Sequence, residues 1–110
     1  MKRDIVTIIT SATGERVIVC RDELDHAMRH FILPEDIFLE LLERVLKDPS
    51  EVYIDSTEKM KEYRFFYKII QERYILVIIK IISEGAFFSS MYTTGSSIRN
   101  THKKFIKIKL

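Results

Sequence analysis

The sequence predicts an α+β fold: an N-terminal β-hairpin, two α-helices, then an antiparallel β-meander. Three observations carry this. Two β-branched runs, Asp4–Thr10 and Glu15–Cys20, flank the turn-forming tetrapeptide Ser11-Ala12-Thr13-Gly14. Apolar residues then recur at helical spacing on either side of Pro34. From residue 51 the period changes to aromatic and β-branched runs broken by short polar turns.

The first helix follows the hairpin. Asp22 offers an N-cap side chain and Asp25 lies in the first turn. Pro34 disfavours helical geometry in the residue before it, so this helix is expected to end near Phe31–Leu33. Pro34 suits the first position of the second helix, with Glu35 and Asp36 at the positive end of its dipole. Ile37, Phe38, Leu41, Leu42 and Val45 form its apolar stripe, Arg44 and Lys47 stand near its end, and Asp48-Pro49-Ser50 stops it. Glu51–Asp55 is a short strand, and Ser56–Glu62 a charged connection. Tyr63–Gln71, Arg73–Ser83 and Ala86–Thr94 are the meander strands, with turns at Glu72-Arg73 and Ser83-Glu84-Gly85. Arg73–Ser83 is apolar at nearly every position, as a strand covered on both faces requires. Ile106, Ile108 and Leu110 alternate with Lys107 and Lys109, a final strand with a lysine-lined outer face.

A chain of 110 residues makes one domain, taken as residues 1–110. Its 31% charged and 46% hydrophobic residues are ordinary for a globular protein and exclude wholesale disorder. A net charge of +2 does not by itself point to nucleic acid, though a local basic surface is compatible with it. The single cysteine, Cys20, cannot form an intrachain disulfide, which favours a reducing compartment. No signal peptide and no membrane-length apolar run are visible, so the expected location is cytoplasmic.

Three groups of residues carry chemistry. The run Asp25-His26-Ala27-Met28-Arg29-His30 sets two histidines four residues apart, on one face of a helix whose Leu24, Met28 and Phe31 point the other way. Imidazole is the side chain that most readily trades protons near neutral pH, although a histidine pair on a polar helix face is usually incidental. The spacing suits two zinc ligands, but the metalloprotease glutamate and a third ligand are missing, so no metal site is expected. Lys80 shares a strand face with Tyr74, Leu76, Ile78 and Ile82, where it must reach solvent, an acid or an anion. Arg64 and Lys68 share a face of the neighbouring strand with Phe66 and Ile70. Ser89-Ser90-Met91-Tyr92-Thr93-Thr94 places five hydroxyls at a strand end, and Arg99, His102, Lys103 and Lys104 form a basic stretch beyond it. Each group also has an ordinary structural explanation: a snorkelling lysine, a solvated sheet face, a strand sliding into a polar loop. No glycine-rich phosphate loop is present.

In order along the chain these segments resemble the phage and polymorphic-toxin branch of the barnase–EndoU–colicin–RelE-like nuclease superfamily. The resemblance rests on Asp25–His30, Val45–Tyr53, Tyr63–Tyr67, Tyr74–Lys80 and Ser90-Met91-Tyr92. It covers about residues 22–94 and leaves the hairpin and final strand outside the shared core. Each motif is short, and Ser90-Met91-Tyr92 stands where the family often has Thr-x-Tyr. The resemblance implies metal-independent cleavage of RNA by attack of a ribose 2′-OH on the adjacent phosphate, without a cofactor. It implies His26, His30, Lys80 and Tyr92 as catalytic residues, and Arg29, Arg64, Lys68, Ser90 and Thr93 as substrate-binding ones. RNA is the expected partner, and a cognate inhibitor protein and a homodimer are further candidates. Two other functions fit the same residues: an inactive binding or regulatory domain on this scaffold, and a small-ligand-binding protein with Lys80 holding an acid.

Overall fold

A computed structural model describes residues 3–56, 59–95 and 105–110. The elements are β1 (Ile5–Thr10), β2 (Arg16–Cys20), α1 (Arg21–Met28), α2 (Glu35–Lys47), β3 (Glu51–Asp55), β4 (Glu62–Ile70), β5 (Arg73–Ile82), β6 (Gly85–Thr94) and β7 (Ile106–Ile108). The fold is α+β, with the hairpin, helices and meander in the expected order. The described strands form one seven-stranded sheet, ordered β1-β2-β6-β5-β4-β3-β7. The hairpin is joined to the meander by a parallel pairing, Val17 opposite Ala86 and Ile18 opposite Phe87. This makes the sheet mixed where alternation predicted only antiparallel neighbours. A parallel pair needs a long crossover, supplied here by everything between β2 and β6.

The sheet has two unlike faces. On one, Ile75, Val77 and Ile79 of β5 join Val52, Phe66, Phe88 and Met91 beneath Leu24 and Ala27 of α1 and Phe38, Leu42, Val45 and Leu46 of α2. On the other, Tyr74 and Leu76 pack with Tyr53 and Tyr67, and Phe105 lies against them. Residues 74–77 are therefore buried from both sides, as the apolar run predicts. Within α2 the buried stripe is Phe38, Leu42, Val45 and Leu46, whereas Ile37 is exposed and Leu41 only partly covered.

Several boundaries differ from expectation for local reasons. Asp22 does not cap α1, because Cys20 is the N-cap, in extended conformation and without a side-chain cap bond. Pro34 is the N-cap of α2, one residue outside the expected first helical position. The β4–β5 turn is Gln71-Glu72, with φ of 49° and 67°. Two left-handed residues match the twist of a two-residue hairpin, so Ile70 pairs with Arg73. Gly14, at φ 93°, supplies the left-handed residue of the first hairpin. The β1 end of the sheet is tied to α2 by the amide of Ala12, which donates to the Leu46 carbonyl at 2.8 Å. Arg99, His102, Lys103 and Lys104 lie outside the described residues.

Candidate active site

The site is assembled at the rim where β2 leaves β6. After pairing through Val17 and Ile18 the chain turns into α1, which runs beside β6. Leu24 and Ala27, three residues apart, bury the inner side of α1, while His26 stays exposed. The helix stops at Met28, earlier than Pro34 alone implies. His30 is thus not a helical i+4 partner of His26. Instead the amides of His30 and Phe31 donate three residues back, to Ala27 and Met28, each at 3.1 Å. Such a tightened turn still brings the two imidazoles together, edge to face with ring centroids 6.2 Å apart.

His30 is also 6.4 Å, ring to ring, from Tyr92 of β6. Tyr92 lies opposite Leu76 and Ser90 opposite Ile78, so both belong to the sheet face away from the helices. Burial pushes the Tyr92 phenol above its usual range, so it remains a proton donor through neutral and mildly alkaline pH. Lys80 is on this same face, between Tyr63 and Phe87. It stands four residues along β5 from Leu76, about 13 Å at the rise of a strand.

The other expected site residues are not gathered here. Arg64 and Lys68 lie in register with Ile79 and Ile75, on the helix-covered face. Arg64 pairs with Glu15 and Glu62, each at 2.7 Å. The Lys68 ammonium donates to the Asp48 carbonyl at 2.6 Å and carboxylate at 3.0 Å, a cation closing the C-terminal end of α2. Thr93 lies opposite Ile75 and borders a separate surface depression with Arg73, Thr94 and Gly95. Arg29 is the exposed C-cap of α1, beside His30 in the chain.

Three further ionisable residues, one on the Tyr92 face of the sheet and two beside Lys80, were not singled out from the sequence. Glu51 is a buried carboxylate on the Tyr92 face, opposite Tyr67, and accepts the Tyr53 hydroxyl at 3.0 Å. Burial first, then the neighbouring Tyr92, Tyr53 and Glu51, raises the Tyr67 phenol well above the ordinary tyrosine range. Glu23 and Arg3 share a cavity with Lys80. Glu23 is three residues before His26 on α1, a helical spacing visible in the sequence, whereas nothing in the sequence links Arg3 to β6.

Among the described residues no three His, Cys, Asp or Glu side chains converge as metal ligands, and no helix is long and apolar enough to cross a membrane. The family model described as phage-Barnase-EndoU-ColicinE5/D-RelE like nuclease2 matches residues 2–109. That span takes in the hairpin and the last strand, which the short motifs alone left outside the shared core. No curated protein and no solved structure matches the chain.

Proposed function

Because the chain belongs to the phage-Barnase-EndoU-ColicinE5/D-RelE like nuclease2 family, we propose that it is an endoribonuclease that works without a metal ion, with His26, His30 and Tyr92 at its centre. The observation that carries this is the contact of His30 with both His26 and Tyr92, at 6.2 and 6.4 Å between rings. Ser90 follows on the same sheet face, two residues and about 7 Å from Tyr92.

The reaction needs a base, an acid and donors to the developing charge. One imidazole takes the proton of the ribose 2′-OH as its oxygen forms a bond to phosphorus. The bond from phosphorus to the 5′-oxygen then breaks, and the other imidazole supplies that oxygen with a proton. The products are a 2′,3′-cyclic phosphate and a 5′-hydroxyl. Tyr92, a protonated phenol at neutral pH, and Ser90 donate hydrogen bonds to the phosphoryl oxygens. Both imidazoles are exposed, so a long single strand has access to them.

The test is digestion of a single-stranded RNA by the purified chain in excess EDTA, with the ends analysed. Cyclic phosphate termini are expected, and His30→Ala is expected to slow cleavage by about 10²–10⁴-fold, the span of general acid–base catalysis. Intact RNA, or a His30→Ala variant as fast as the parent, refutes the assignment. Growth arrest on induced expression, relieved by the same substitution, is the expected sign of a toxin-like role.

A further inference from the structure

We propose that the cavity at the β6 bulge is a nucleotide subsite selective for bases with an exocyclic amine, in which Glu23 accepts from the amine while Arg3 and Lys80 hold the phosphate. This rests on the nuclease assignment and adds a specificity to it. The cavity, of about 190 Å³, is lined by Arg3, Glu23, Lys80, Phe87 and Ser89 among others. Pockets for whole drug-sized ligands start at about 300 Å³. This one is therefore sized for part of a longer substrate.

Its lining is chemically unusual. Arg3, Lys80 and Glu23 border one small space, yet no ion pair within 4.0 Å joins the carboxylate to either cation among the described residues. Opposite charges held apart in a cavity suit a ligand that carries a donor and an anion at its two ends. The Arg3 guanidinium lies 4.1 Å over the Phe87 ring, a cation–π contact that keeps its charge at the cavity wall for a phosphate. Ser89 is the extra residue of the bulge, since Ile78 pairs with Ser90 and Ile79 with Phe88. A bulged residue leaves the ladder, which frees its polar groups for a ligand.

Glu23 decides which base fits. A carboxylate only accepts hydrogen bonds. Cytosine, adenine and guanine each present an exocyclic amine, whereas uracil has a carbonyl oxygen in its place and only a ring N3–H donor, flanked by two oxygens that a carboxylate repels. The position relative to the reacting centre also fits. Ser89 is three residues before Tyr92 on β6, about 10 Å by strand rise, and Glu23 stands five residues, about 8 Å by helical rise, before Met28, where α1 ends and the turn carrying His30 begins. The cavity therefore takes a nucleotide beside the cleaved bond. Lys80 belongs with that neighbour's phosphate and not with the phosphate under attack.

The experiment is an NMR titration of the full chain with CMP, AMP, GMP and UMP at low salt, following the amides of Phe87, Phe88 and Ser89. Those amides are expected to shift, with UMP binding at least tenfold more weakly than the others. Glu23→Gln should compress the difference to within about threefold, Glu23→Asp should keep the ranking, and Lys80→Ala should weaken all four alike. Thermal melts of each variant confirm that it is folded. Equal binding of the four, no shift at the bulge, or an equal loss for all four in Glu23→Gln overturns the subsite. A parent that discriminates bases but leaves RNA intact overturns the nuclease assignment and keeps the subsite. A parent that cuts RNA yet binds all four alike does the reverse.

Discussion

Replacing Arg64 with Met should destabilise the protein without touching RNA cleavage. The guanidinium bridges Glu15 and Glu62 at 2.7 Å each, and the three side chains are 18%, 16% and 29% exposed. Methionine keeps most of the apolar stem, so what is lost is the charge between two carboxylates. Breaking a fully buried pair costs about 3–5 kcal/mol, and an exposed pair contributes at most about 1 kcal/mol. Here both carboxylates keep some contact with water, which places the cost at about 2–3 kcal/mol. In a domain of this size about 1 kcal/mol moves Tm by 4–5 °C, so a fall of about 10 °C is expected. Urea unfolding measures the free energy, and RNA cleavage is assayed at a temperature where parent and variant are both folded. In a Glu15→Gln, Glu62→Gln background the same substitution should cost under about 1 kcal/mol, because no charge is stranded. An unchanged urea midpoint combined with lost cleavage would place Arg64 at the substrate and refute the two-face description.

Three further outcomes are expected. Tyr92→Phe removes one donor facing the phosphoryl group and should lower kcat by about 10²-fold, with Tm little changed; parental rates would remove Tyr92 from the chemistry. Leu42→Ala opens a void under α2 at a side chain with no exposed surface and should cost about 2–5 kcal/mol in urea unfolding. A cost under 1 kcal/mol would mean that this helix is not packed as described. The Tyr67 phenol is raised in the folded state, so above pH of about 10 the unfolded chain loses a proton that the folded chain keeps. Stability should therefore fall as pH rises from about 10 upward, with no contribution from this group at lower pH, and Tyr67→Phe should show a shallower fall. Equal slopes for parent and variant would contradict the burial of that hydroxyl.

Element order was legible in the sequence because hairpin turns, helix stripes and strand alternation are local signals. Pro34 separated the helices, Ser11–Gly14 marked the first turn, and the continuous apolar run at Tyr74–Val77 announced a strand covered on both sides. The turn at Gln71-Glu72 was displaced by one residue because neither is a glycine, so the sequence carried no sign of its left-handed backbone. The early end of α1 was equally silent.

Alternation by itself determined that Arg64 and Lys68 share one face of their strand and that Ser90 and Tyr92 share one face of theirs. Only the tertiary structure decided which faces look toward the helices. That choice follows from the parallel pairing of β2 with β6, a contact nearly 70 residues long in sequence (Val17 opposite Ala86) that no local period encodes. The pairing delivers α1 to the edge of β6, and so His30 to Tyr92, while the other face of the sheet makes Arg64 a tie to Glu15 of the first hairpin and Lys68 a tie to the end of α2. The histidines were visible as residues able to move protons. Their neighbour across the rim was a consequence of long-range packing.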